Sequence, residues 1–222
     1  MAKARISGPR PRAPLTRDRV LQAAIRLADK NGIAQLSMRR LAQRLEVEAM
    51  SLYNHVANKE DVLDGMVDIV VGKIAVPPAG GDWKAAMHQR AISAHEVLLR
   101  HPWAPSLIVS TVNVGPAMLR YIDATLGCLR KAGFSYEVAD HAWNAIDSHI
   151  YGFTLQELNF PLDPADYADA ARSFLPMIPA EKYPHMRALT QKVIGGAYNG
   201  LHDFEFGLKL ILDGLEELPT KA

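Results

Sequence analysis

The chain is nearly without cysteine. Cys128 is the only one among 222 residues, which excludes an intramolecular disulfide and fits a reducing compartment such as the cytosol. A long apolar run is missing as well. The longest stretch without Asp, Glu, Lys, Arg or His covers residues 102–119, 18 in all, near the lower limit for a membrane span. Pro102, Pro105, Asn113, Gly115 and Pro116 interrupt it, so it reads as a loop plus a buried helix in a soluble, cytoplasmic protein. No signal peptide is legible, because Lys3, Arg5, Arg10 and Arg12 stand among prolines with no apolar stretch behind them. Strand patterning is absent: no run of alternating β-branched residues is bounded by turn dipeptides, and nothing repeats at a fixed period. Chemical motifs are equally scarce. No two of the eight histidines sit four apart, and there is no HExxH, CxxC, P-loop, GxGxxG or GxSxG. Catalysis, a metal site and a cofactor therefore all lack support.

Net charge is also close to zero, with 25 Lys+Arg against 24 Asp+Glu, yet the charges are unevenly spread. Residues 1–60 hold 12 Lys+Arg and 5 Asp+Glu, whereas residues 61–222 hold 13 and 19. A basic head on an acidic body points to a polyanion as the partner of the head. The plain alternative is a small solvated domain that happens to be rich in lysine and arginine.

Three divisions follow from the pattern. Residues 1–14 form a Pro/Arg-rich tail without helical periodicity, expected to be disordered. Residues 15–60 form a small head and residues 61–222 a larger body. In the head, Thr16 caps a helix that places Val20, Leu21, Ala24, Leu27 and Ala28 on one face, and Asn31-Gly32 stops it. Ser37 caps a second helix with Leu41, Ala42 and Leu45 inward. A three-residue turn, Glu46-Val47-Glu48, leads to a third segment over residues 49–56. Asn58 then opens a fourth helix with the stripe Val62, Leu63, Met66, Val67, Val70 and Ile74. Pro77-Pro78 with Gly80-Gly81 marks a hinge. Beyond it, helices are expected over 82–101, 116–133, 136–159, 164–175, 183–190 and 201–218. The fold class is all-α.

Two short helices joined by a three-residue turn make a helix-turn-helix, whose second helix can enter a DNA major groove. Burying Leu45, Val47, Leu52 and Val56 leaves Met50, Ser51, Tyr53, Asn54 and His55 outward. Hydroxyl, amide, imidazole and phenol groups suit base edges and phosphate oxygens. Arg39, Arg40, Arg44 and Lys59 supply flanking cations. Glu46 stands where the turn favours glycine, and a Cβ there costs about 1–2 kcal/mol in the left-handed conformation.

The stretch over residues 15–74, above all GIAQLSMRRLAQRLEVEAMSLYNHVANKEDVL, resembles the DNA-binding head of the TetR family of bacterial transcriptional regulators. The body segments LRKAGFSYEVADHAWNAIDSHIYGFTLQE and FEFGLKLILDGLEEL resemble the tetracycline-repressor branch of that family. The resemblance implies a homodimeric, ligand-responsive repressor on a palindromic operator. Carried over residue by residue, it puts DNA contacts on Met38, Arg39, Ala49, Met50, Ser51, Tyr53, Asn54, His55 and Lys59. It also pairs the helices over 136–159 and 201–218 across a dimer, where the small residues Ala142, Ala145, Gly152, Gly207 and Gly214 would permit close approach; the alternative is that the two helices pack within one subunit, and spacing alone does not separate the two. The alternative is a helical dimeric protein-interaction module without specific DNA binding.

An effector cavity is expected between the body helices, apolar with a few polar groups. Trp103, Met118, Trp143, Asp147, Tyr151 and Phe174 are the candidates. Asp140, Trp143, Asn144, Asp147 and Tyr151 share one helix face. A buried Asp147 needs a partner, so it is either a ligand anchor or half of an internal salt bridge. Tetracycline with magnesium is not implied, since residues 107–115 offer no histidine for a metal.

Overall fold

The computed structural model describes residues 14–78, 80–198 and 203–218, and the basic tail expected to be disordered lies almost wholly outside them. Among the described residues the fold is all helical. In the head, α1 (Arg17–Asn31) begins where the Thr16 side chain accepts the Arg19 N–H and ends at Gly32, whose φ of 80° no other residue adopts as cheaply. A 3₁₀ turn over Ile33–Gln35 leads to α2 (Met38–Leu45), capped by Ser37. Glu46 closes α2 at φ 56°, ψ 45°, the single non-glycine residue with positive φ among those described. That strain is about 1–2 kcal/mol. Complete burial of Leu41, Leu52 and Met66 outweighs it, at about 1.5–3 kcal/mol for each side chain.

The third segment is shorter than the 49–56 expected from sequence. Helix α3 spans Ala49–Leu52, and residues 53–55 form a turn. The cause is Val56, which must swing into the core, where it is buried, so the chain tightens with both His55 and Val56 N–H groups bonding to the Leu52 carbonyl. Asn58 then caps α4 (Lys59–Val71) by accepting the Asp61 N–H at 2.7 Å.

Helix α4 belongs to both halves. It packs on α1 in the head and on α6 and α7 in the body, with Gly65 against Leu21 and Gly72 against Ala117, and Val62, Met66, Val67, Val70 and Val71 buried along it. The body comprises α5 (Trp83–Arg100), α6 (Ala104–Ser110), α7 (Pro116–Lys131), α8 (Tyr136–Leu158), α9 (Tyr167–Phe174), α10 (Pro184–Ile194) and α11 (Phe204–Glu216). Asp82, Ser135 and Asp203 cap α5, α8 and α11 through side-chain oxygens. Helices α5, α8 and α11 pack on one another, α7 lies between α4 and α8, and α6 touches α4 and α8.

Several boundaries differ from expectation. The 164–175 helix is split, with α9 flanked by 3₁₀ turns at Pro164–Asp166 and Leu175–Met177, each carrying a proline in its first turn. Helix α10 continues past Thr190 to Ile194 because Val193 is still buried. The last helix, expected from Leu201, begins at Phe204, and Leu201 lies outside the described residues.

Candidate DNA-contact surface and effector cavity

The head presents its polar residues between the start of α2 and the start of α4. Arg39, Met50, Tyr53 and Asn54 are exposed, Met50 at 74%, while Ser51, His55 and Lys59 are half-buried. Met38 and Ala49 are also half-buried, because both lean on the apolar core. Of the flanking cations, Arg40 is engaged by the Gln35 side chain. Leu52 and Val56 point inward as expected, while Leu45 and Val47 are only partly covered.

This surface is braced by a clasp that the sequence did not announce. The Arg17 guanidinium on α1 donates to both carboxylate oxygens of Asp61 on α4, at 2.8 and 2.6 Å. Asp61 also accepts the Ala57 N–H at 2.8 Å. The Arg17 hydrogen bonds hold the Asp61 carboxyl below the usual carboxylate range, burial opposing them only in part. The clasp joins the turn after α3 to α1 and so fixes the angle at which α3 is presented.

In the body, a cavity of about 320 Å³ opens between α6, α7 and α8. Ile108, Val109, Met118, Ile122 and Trp143 give it an apolar wall, and Asn113, Asn144, Ser148, Asp147 and Tyr151 supply polar groups. Four of the six residues singled out in the sequence come together here: Met118, Trp143, Asp147 and Tyr151. The other two sit elsewhere. Trp103 caps the N-terminus of α6, and its indole N–H is taken by Asp29 of α1 at 2.6 Å. Phe174 is half exposed in a separate groove between α9 and α10, because α9 packs on α10 rather than on α7 or α8.

Asp147 lines this cavity and also forms an internal salt bridge. Its partner is Arg90 of α5, fully buried, whose guanidinium also stacks 4.7 Å over the Tyr121 ring. Asp147 accepts further from the Trp143 indole at 2.7 Å and the Tyr151 hydroxyl at 3.1 Å. Burial pushes the Asp147 carboxyl up, with Arg90 and these hydrogen bonds working against the shift. Burial likewise raises the hydroxyls of Tyr121 and Tyr151 and the Cys128 thiol, so none of them ionises readily. Arg90 escaped sequence reading, although its place in the otherwise apolar stripe Met87, Arg90, Ala91, Ala94 was a signal that it is buried.

Cavity and head are wired together through α4. Asp68 accepts the N–H groups of Ala117 and Met118 at 2.9 and 3.0 Å, capping α7 from outside its own chain segment. Gly115 makes room for that carboxylate, since a Cβ there would lie 2.2 Å from Asp68 Oδ1. Asn113, also in the cavity wall, donates to the Asp64 carbonyl at 3.0 Å. Among the described residues no group of three or more His, Cys, Asp or Glu is placed to hold a metal ion. No described helix is long and apolar enough to cross a membrane.

A helix-turn-helix head joined by a shared helix to a body with an internal cavity defines a DNA-binding regulator whose DNA-contacting and ligand-contacting parts lie in one chain. Comparison with known proteins fixes the family. Residues 20–66 match the bacterial regulatory proteins of the tetR family, and residues 76–218 match the tetracyclin repressor-like C-terminal domain. The HTH-type transcriptional repressor DrrR1 of Streptomyces coeruleorubidus is 34% identical, over 95% of this chain and 80% of its own. The TetR family protein ActR of Streptomyces coelicolor, solved in complex with actinorhodin, is 30% identical with a TM-score of 0.79, covering 92% of this chain and 98% of its own. Its complex with (S)-DNPA gives 29% identity and a TM-score of 0.76, over 91% and 98%. The chain belongs to the TetR family. It is a ligand-responsive, DNA-binding transcriptional regulator that acts as a homodimer on operator DNA.

Proposed function

We propose that this regulator is a cytoplasmic repressor, without catalytic activity, whose head over residues 15–60 grips a palindromic operator and whose body over residues 61–222 releases it on binding a small aromatic molecule. The observation that carries this reading is the pair of hydrogen bonds that the N–H groups of Ala117 and of Met118, a residue of the cavity wall, donate to Asp68 on α4. A ligand that shifts this wall pulls on the helix whose first residue is Lys59, in the head.

Operator contact runs through Met38, Arg39, Ala49, Met50, Ser51, Tyr53, Asn54, His55 and Lys59. Exposed Arg39 suits a bidentate guanine contact, and exposed Met50 suits a thymine methyl. Tyr53, His55 and Lys59 suit phosphates, and Ser51 and Asn54 reach base edges. Effector contact runs through Met118, Trp143, Asp147 and Tyr151. Trp103, whose indole is held by Asp29, and Phe174 both lie outside the cavity lining. The dimer face is formed by α8 and α11. Ala145 and Gly152 on α8 and Phe206, Leu210 and Gly214 on α11 are exposed in the single chain, whereas Ala142 and Gly207 pack within it.

The effector class follows from the cavity and from kinship with ActR. A volume of about 320 Å³ is at the small end for ligand sites, with an indole wall and a polar end at Asp147 and Tyr151. The test uses (S)-DNPA and actinorhodin as probes, with fluorescence anisotropy on an operator duplex. The expected result is dose-dependent release by at least one of them, weakened by Trp143→Ala. Unchanged operator binding at saturating concentrations of both would overturn the effector class.

A further inference from the structure

The junction between head and body holds a buried histidine that serves neither the operator surface nor the cavity. His101 closes the C-terminus of α5 and is 7% exposed. Its Nδ1 lies 2.8 Å from Asp29 Oδ1 on α1, and its Nε2 lies 3.0 Å from the Nζ of Lys73, two residues beyond α4. The same Asp29 oxygen accepts the indole N–H of Trp103, the residue that opens α6. One imidazole thus joins α1, the end of α4 and the α5–α6 corner.

These partners fix its protons. A carboxylate only accepts, so Nδ1 must donate to Asp29. An ammonium only donates, so Nε2 must accept from Lys73. The ring is therefore the neutral Nδ1–H tautomer. A second proton would sit on Nε2, 3.0 Å from the ammonium. It would cost Lys73 its acceptor and set two like charges face to face, from which the exposed lysine side chain turns away into solvent. The charged groups that face the ring are Asp29 from α1 and Lys73 from the end of α4. From α6 it meets the neutral Trp103 indole, with ring centroids 6.0 Å apart.

We propose that His101 is a proton-operated latch on the hinge. Neutral, it ties the end of α4 to α1 and to the α5–α6 corner. Protonated, it keeps Asp29 and lets Lys73 go. Helix α4 then parts from the corner, and the two heads of the dimer lose the spacing that half-sites one helical turn apart demand. The latch answers to a second proton on the ring, whether or not an effector is bound. His101 is a positioning residue, touching neither DNA nor effector. The inference rests on the reading that α4 carries the state of the body to the head.

The test measures operator affinity of the full-length dimer by fluorescence anisotropy at pH 7.5 and 5.5, at constant ionic strength. Every other titratable group is common to the wild type and the variants, so the comparison is between profiles. Wild type should lose about fivefold more affinity on acidification than His101→Gln, a factor at the low end of coupling between two sites. Lys73→Met removes the charge that the second proton meets and should flatten the profile as His101→Gln does, whereas Lys73→Arg should keep the wild-type slope. Nitrogen NMR of the ring at pH 7.5 should report the Nδ1–H tautomer. Identical profiles for wild type, His101→Gln and Lys73→Met overturn the latch while leaving the operator reading intact, as does an Nε2–H tautomer. If His101→Gln does not fold, the lysine pair and the tautomer still decide. Failure of the wild type to bind any duplex at pH 7.5 overturns both.

Discussion

The Asp68 carboxylate caps a helix that it does not belong to, accepting the N–H groups of Ala117 and Met118 at 2.9 and 3.0 Å. One oxygen serves both bonds, so α7 gains an N-cap and α4 gains a tether to the cavity wall. Asp68→Ala should cost about 1 kcal/mol of stability, the usual worth of such a cap, read as a lower urea midpoint. Asp68→Asn keeps the accepting oxygen and should recover most of the loss. If Asp68→Ala unfolds at the wild-type midpoint, the tether carries no weight.

The buried pair Arg90–Asp147 should be unforgiving of half-removal. Asp147→Ala strands a guanidinium that has no access to water, and such a break costs about 3–5 kcal/mol. The double variant Arg90→Met with Asp147→Leu removes both charges and should be the more stable of the two. Denaturant melts of the wild type and both variants check the order.

The Arg17–Asp61 clasp has a definite pH dependence. Hydrogen bonding to Arg17 lowers the folded-state carboxyl below its unfolded value. The stabilisation is therefore present above the unfolded value and is lost as pH falls through the folded one. Both side chains are partly solvated, 47% and 28% exposed, so the gain is under about 1 kcal/mol. Asp61→Asn should trail wild type slightly at neutral pH, with the gap closing as the solution is acidified below about pH 4. A gap that widens in acid would contradict the assignment.

Two glycines differ in what surrounds them within their own chain. A Cβ on Gly207 would lie 2.4 Å from His149 Cε1, whereas one on Gly152 meets nothing within 4 Å in its own chain. Gly207→Ala should lower stability by about 1–3 kcal/mol through overpacking. Gly152→Arg should leave helix content intact yet shift sedimentation to the single subunit and abolish operator binding. A stably dimeric Gly152→Arg would move the dimer face off this part of α8.

Much of this fold could be read from the chain because its helices announce their own ends. Thr16, Ser37, Asn58, Asp82 and Ser135 each cap the helix that follows them, and short polar caps act locally. The left-handed Glu46 was legible for the same reason. Side-chain pairs across helices were not. Arg17 with Asp61, Arg90 with Asp147 and Asp29 with His101 are separated by 44, 57 and 72 residues, and no periodicity records which distant charges meet. Trp103 shows how this misleads: a buried aromatic in the body looks like a cavity wall until its N–H is seen spent on Asp29. On the α8 face, by contrast, spacing by three and four residues correctly gathered Trp143, Asp147 and Tyr151, because one helix holds all three.

The most direct test of the central claim is a selection of the full-length protein against a pool of randomised DNA duplexes, sequenced after successive rounds at moderate salt. A dimer presenting two α3 segments should enrich an inverted repeat with half-site centres about one helical turn apart, and Asn54→Ala should change the bases recovered within each half. A pool that stays random, or that yields a single unrepeated site, would contradict the account.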